Sequence, residues 1–216
     1  MTGNNDLNER IKCFLNEVPL DVALVAATKS RSIQEIKQAI KSGIKIIGEN
    51  YIQEAKEKYF KLKGQVSFHL IGHLQTNKVK DAVEIFDMIQ TVDSVKIAKE
   101  IGKRTKKIMP VLIEVNIGLE KNKSGIFPEK VIDLAKEISN LKNIKVKGLM
   151  AMCPVLINPE DYRQYFRKMR QLFSEIKNKD IPNVSMEILS MGMSDNYDIA
   201  IEEGSNMVRI GRVLFG

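Results

Sequence analysis

The chain has 216 residues, 44% hydrophobic and 28% charged, with a formal charge of +7 and only two cysteines. That length suits one packed domain, and the even mixture excludes intrinsic disorder, collagen and a disulfide framework. No apolar stretch approaches the roughly 18 residues of a membrane span, and the polar start lacks a signal-peptide core; a cytoplasmic protein with reduced Cys13 and Cys153 is expected.

Leu7, Ile11, Phe14, Leu15 and Val18 share one face of an opening helix. The continuous apolar run 22–27 suits a first strand buried on both faces. Ser32-Ile33-Gln34-Glu35 is a capping box that starts a helix, and Gly43 stops it. A second strand is expected over 44–48, a helix from about Ile52 to near Gly64, and a third strand over 66–71. A short helix over 77–84, a fourth strand over 86–92 and a helix capped by Ser94 follow. The basic run 103–107 falls at the end of that helix, where cations suit the helix dipole. No aromatic residue interleaves with it, so it reads as solvated surface and no nucleic-acid partner is expected.

A fifth strand is expected over 111–117, preceded by Pro110, then a helix with Pro128 at its first position. A sixth strand over 146–152 leads to a long helix starting at Asn158-Pro159, with a stripe of Tyr162, Tyr165, Phe166, Met169, Leu172, Phe173 and Ile176. The seventh strand is expected over 186–189, then a helix capped by Ser194 and ended by Gly204, then an eighth strand over 207–210 and no helix after it. Eight strands alternating strictly with helices predict an α/β fold, a (β/α)8 TIM barrel formed by residues 1–216 as one domain. An open doubly wound sheet is the competing architecture, but no Gly-x-Gly-x-x-Gly follows the first strand.

Functional groups of such a barrel stand at the C-terminal ends of the strands. Lys29 follows the first strand, where low-dielectric walls lower a lysine's pKa and leave an amine able to condense with a carbonyl. The competing reading is a lysine that snorkels to solvent or pairs with Glu49. The last two strands end in Ser190-Met191-Gly192-Met193-Ser194-Asp195 and Arg209-Ile210-Gly211-Arg212. Ser194 and Asp195 are expected to open a helix toward an anion, Gly211 to let a phosphate approach the backbone, and Arg212 to add charge. Arg209 shares an inward face with Met207 and Gly211, and donates either to a ligand ring nitrogen or to Glu187. No P-loop or Gly-x-Ser-x-Gly elbow is present. His69 and His73 stand without a further ligand, so no metal site is expected, and His69 reads as packed and hydrogen-bonded.

These segments, with Gly48-Glu49-Asn50-Tyr51, His69-Leu70-Ile71-Gly72-His73-Leu74-Gln75 and Gly148-Leu149-Met150, together resemble the YggS/PROSC family of pyridoxal phosphate homeostasis proteins. The resemblance implies a barrel of the alanine racemase N-terminal-domain type, with pyridoxal 5'-phosphate (PLP) as an internal aldimine on Lys29. It implies that Ser190, Gly211 and Arg212 contact the phosphate, that Arg209 faces the pyridine nitrogen, that Asn50 lines the pocket, and that Met191 is also among the cofactor-binding residues. Arg212 stands where a threonine often follows Arg-Ile-Gly in the family. Its side chain accepts no hydrogen bond, which leaves its backbone N–H for the phosphate.

An arginine at the ring nitrogen keeps the ring unprotonated and a weaker electron sink. Related racemases and decarboxylases add a β-domain, whereas this chain stops five residues after Gly211, with Tyr51 and His73 the available stand-ins for an acid or base. The expectation is a monomeric binding protein for PLP storage or delivery, without independent catalysis, whose partners beyond PLP are PLP-dependent apoenzymes. A PLP-dependent amino-acid racemase or decarboxylase is the alternative, and a Schiff-base aldolase without cofactor a third reading.

Overall fold

A computed structural model describes residues 3–216, with side chains described from Leu7 onward. Eight parallel strands close into a barrel in sequence order. They are β1 (Ala23–Ala27), β2 (Ile46–Glu49), β3 (Ser67–Leu70), β4 (Met88–Val92), β5 (Met109–Val115), β6 (Ile144–Ala151), β7 (Val184–Ser190) and β8 (Met207–Ile210). Closure comes from β8 pairing with β1, in a register that sets Val25 beside Arg209 and Ala26 beside Ile210.

The helices are α1 (Gly3–Glu17), α2 (Ile33–Lys41), α3 (Ile52–Leu62), α4 (Val79–Ile85), α5 (Val95–Arg104), α6 (Val131–Ser139), α7 (Arg163–Lys177), α8 (Tyr197–Glu202) and α9 (Arg212–Phe215). The capping box forms as expected, Ser32 accepting from the Glu35 N–H and Glu35 reaching back to the Ser32 N–H. Ser94 caps α5 through the Ile97 N–H. Pro128 and Pro159 each open a single 3-10 turn ahead of α6 and α7.

Three local expectations need correction. Pro110 lies inside β5, one residue from its start, where a missing N–H is tolerated. Ser194 caps no helix: α8 begins at Tyr197, and the Asn196 side chain instead accepts from the Met193 N–H. A short helix, α9, does follow β8, with Gly211 as its N-cap.

Strand alternation splits the apolar residues into two cores. The larger lies between sheet and helices and holds Ala26, Ile47, Phe68, Val111 and Leu189 together with the inner faces of α1 to α8. The smaller fills the barrel axis: Val25, Ile71 and Met207 on one side, Met88, Leu112 and Met150 on the other. An inward parity therefore runs through Ala23, Val25 and Ala27 on β1, and through Met207 and Arg209 on β8. Among the described residues no helix is long and apolar enough to cross a membrane.

Candidate functional site at the barrel mouth

Above the apolar layer the barrel interior turns polar. Arg209 is almost wholly buried, with 4% of its surface exposed. Its guanidinium donates to the Ser190 carbonyl at 2.9 Å, to Ser190 Oγ at 2.7 Å and to the Ala151 carbonyl at 2.8 Å. Burial pulls its pKa down to about 10, with Glu114 opposing, so it stays a cation at neutral pH. The Glu187 alternative fails, because Glu187 pairs with Lys147 at 2.8 Å outside the barrel.

The network continues inward. Ser190 Oγ donates to Gln90 Oε1 at 2.8 Å, and Gln90 Nε2 lies 3.0 Å from His69 Nδ1. An amide nitrogen only donates, so Nδ1 accepts and the ring proton sits on Nε2. Burial lowers the His69 pKa to about 4, which keeps the ring neutral. His69 is packed and hydrogen-bonded, as the sequence indicates.

Lys29 extends the inward parity of β1, but it is exposed at the mouth rather than buried. Its Nζ stands 5.3 Å from the centre of the Tyr51 ring. Glu49 is not its partner: that carboxylate is buried under the sheet and bonds Lys58 at 2.7 Å and the Thr28 hydroxyl. Because β8 lies beside β1, the chain leaves the barrel at Lys29 and at Gly211–Arg212 on neighbouring strand ends.

Gly211 has φ −120°, and a Cβ built on it would only touch Ala27 at 3.5 Å. The fold therefore does not demand glycine there. The bare backbone leaves room for a ligand, which is the fit expected for a phosphate beside the first turn of α9. Gly192 differs: its φ is +92° and a Cβ would stand 2.6 Å from Ala200, so packing requires it.

The remaining expected residues divide. Asn50 and Tyr51 line a cavity of about 480 Å³ with Gly72, His73, Gln75 and Lys78, at the ends of β2 and β3. Gly72 is forced there, since a Cβ would meet the Asn50 carbonyl at 2.2 Å. Arg212 is exposed and pairs with Asp195, so its side chain is held at the rim. Ser190 is brought next to Arg209, yet its hydroxyl already accepts from Arg209 and donates to Gln90.

Met191 is not brought to the mouth. It points outward into the larger core, its N–H donates to the Met207 carbonyl, and its own carbonyl accepts from Ser205. The hydroxyl that does reach the β8 loop is Ser194, whose Oγ accepts from the Val213 N–H at 3.5 Å. His73 is exposed, 3.8 Å from Asp93. A larger hollow of about 680 Å³ opens at the opposite end, beside Gly43, Tyr59 and Gln65, away from all these groups. Among the described residues no group of three or more side chains can hold a metal ion.

Sequence reasoning missed Gln90, Glu114 and Lys58. Gln90 and Glu114 are polar residues inside apolar strands at inward positions, a signal that period-two counting exposes. Glu114 accepts from Ser124 at 2.7 Å, while its other oxygen is buried without a partner and burial pushes its carboxyl pKa up. Lys58 lies on the buried stripe of α3 with Ile52, Ala55 and Leu62, where a lysine is out of place unless paired.

The chain is similar to known proteins over most of its length. The family model described as alanine racemase, N-terminal domain, matches residues 5–216. A pyridoxal phosphate homeostasis protein from Aquifex aeolicus is 44% identical over 197 residues, covering 89% of this chain and 86% of that one. Its counterpart from Haemophilus influenzae is 42% identical over 201 residues, covering 90% and 84%. The structure of PipY from Synechococcus elongatus with PLP bound superposes with a TM-score of 0.89 at 28% identity, covering 97% of this chain and all of that one. An alanine racemase from Clostridium difficile, 15% identical with a TM-score of 0.81, has the same fold over 57% of its length.

Proposed function

The chain belongs to the alanine racemase N-terminal-domain family, and from that membership and its barrel mouth we propose that it binds pyridoxal 5'-phosphate in the service of cofactor homeostasis. The observation that carries this reading is the adjacency of an amine and a bare backbone turn, Lys29 and Gly211, on neighbouring strand ends. PLP is here the cargo, an aldehyde with an anionic tail. Lys29 would hold the aldehyde through its neutral amine, as a reversible carbon–nitrogen double bond whose formation releases the carbonyl oxygen with the two amine hydrogens as water.

The other residues bind and orient. Backbone N–H groups of Gly211 and Arg212, with the Ser194 hydroxyl, receive the phosphate at the start of α9. Arg209, held by Ser190 and Ala151, presents a permanent cation to the pyridine nitrogen, and Ser190 acts through it. Asn50 stands at the end of β2 beside Tyr51, the ring that Lys29 approaches, and is the side chain this reading offers to that flank of the ligand. Because a guanidinium gives the ring nitrogen no acidic proton, proton removal from a bound amino acid is poorly assisted, which supports storage or delivery over turnover. In this reading residues 1–216 act as one monomeric cytoplasmic unit that hands PLP to apoenzymes.

The test is an absorbance spectrum with PLP before and after borohydride, which delivers hydride to the carbon–nitrogen double bond, followed by peptide mapping. A yellow protein labelled on Lys29, and an unlabelled Lys29→Ala variant that stays folded, are expected. A colourless protein would favour the cofactor-free aldolase, and label on another side chain would refute the site. Racemisation or decarboxylation of amino acids at saturating PLP would turn the reading toward an enzyme.

A further inference from the structure

We propose that Lys58 is a positioning residue for Lys29: its buried ammonium clamps the peptide groups on either side of the reactive amine. The inference rests on Lys29 being the amine that takes PLP. Among the described residues the Lys29 amine makes no hydrogen bond or ion pair, and stands only over the Tyr51 ring at 5.3 Å. Four flexible methylenes separate Nζ from the backbone, so the backbone at residue 29 decides what volume the amine sweeps.

That backbone is fixed from behind the sheet. Thr28 and Glu49 point outward from the ends of β1 and β2, toward the buried face of α3. Lys58 rises from α3 between them with only 4% of its surface exposed. An ammonium has three donors, and three acceptors meet it: the Thr28 carbonyl at 2.6 Å, Glu49 Oε1 at 2.7 Å and Glu54 Oε1 at 2.7 Å. Glu54 Oε1 also accepts from the Ser30 N–H at 2.6 Å. Thus the carbonyl before Lys29 and the N–H after it are tied, directly and through one carboxylate, to a single buried cation. Ser30 needs the tie, because its φ of +61° is a left-handed setting that a residue with a side chain resists.

A purely structural role, neutralising buried Glu49, is the competing explanation. The two separate at Glu54, which is partly exposed and bonds Ser30 as well as Lys58. The experiment measures, for wild type, Glu54→Gln, Glu54→Ala and Lys58→Met, the rate of borohydride-trappable PLP attachment at Lys29, the pH midpoint of the absorbance, and the Tm.

Glu54→Gln keeps an oxygen that can accept both bonds and should attach PLP within about twofold of wild type, whereas Glu54→Ala should be slowed about tenfold with a shifted pH midpoint and a nearly unchanged Tm. Wild-type rate and midpoint in Glu54→Ala would overturn the proposal, and the same behaviour in a folded Lys58→Met would do so again. If Lys58→Met does not fold, Glu54→Ala decides alone. Wild type that fails to label Lys29 would sink the binding reading itself, an outcome distinct from equal rates in labelled variants.

Discussion

Inside the barrel the direction of every hydrogen bond from Arg209 to His69 follows from donor chemistry: Arg209 gives to Ser190, Ser190 to Gln90, Gln90 to His69. The chain ends on an imidazole that must stay neutral to accept. Burial lowers the His69 pKa to about 4 from an ordinary 6.5. The folded state therefore binds this proton more weakly than the unfolded chain. The contribution is whole above pH 6.5, fades as pH falls through that window, and is lost below pH 4. The shift corresponds to about 3 kcal/mol. Urea unfolding at pH 7 and pH 4.5 should show wild type losing more stability than His69→Gln over that interval, and parallel losses would remove His69 from the account.

Elements report where local signals suffice. The capping box at Ser32 uses groups three residues apart, so sequence alone places the start of α2. Ser32→Ala should cost about 1 kcal/mol, read as a Tm lower by roughly 2–4 °C, with PLP attachment unaltered. An unmoved Tm would show that tertiary contacts alone hold that end. The loop before α8 behaves otherwise. Ser194 looks like a cap by its position before an apolar pattern, yet α8 starts two residues past Asp195 with no side-chain cap, the Asn196 side chain accepts from Met193 instead, and Ser194 turns to α9 across the barrel rim. Its partner, Val213, lies nineteen residues away, and no local rule reaches that far. α1 likewise packs on elements far along the chain, α9 among them, and its Phe14 ring meets Tyr197 of α8 with ring centres 5.0 Å apart.

At the scale of the whole molecule, closure of β8 on β1 couples the juxtaposition of Lys29 and Gly211 to the integrity of the ring. A ligand held by strand ends at that seam stabilises only the folded barrel. PLP at one hundred times its Kd should add about 2.7 kcal/mol, a Tm rise of roughly 5–10 °C for a chain of this length. Differential scanning calorimetry with and without PLP checks this, and Lys29→Ala should show most of the rise gone. An equal rise in that variant would place the binding energy elsewhere. The charge of +7 favours an anionic ligand at long range.

Strict alternation of apolar runs and amphipathic helices determined the barrel, because period and order are local properties that survive without coordinates. The same alternation put Lys29, Arg209 and Gly211 at strand ends, and the order of the closed sheet made them neighbours. Side-chain partners were a different matter. That Arg209 is held by Ser190 and not Glu187, that Met191 faces outward, that Glu49 pairs with Lys58, and that Lys29 stands exposed over Tyr51 depended on which face of each strand met which helix. Packing in three dimensions decided these contacts, because the energy of a buried charge is set by neighbours distant in sequence, such as a carbonyl thirty residues away from the lysine that bonds it.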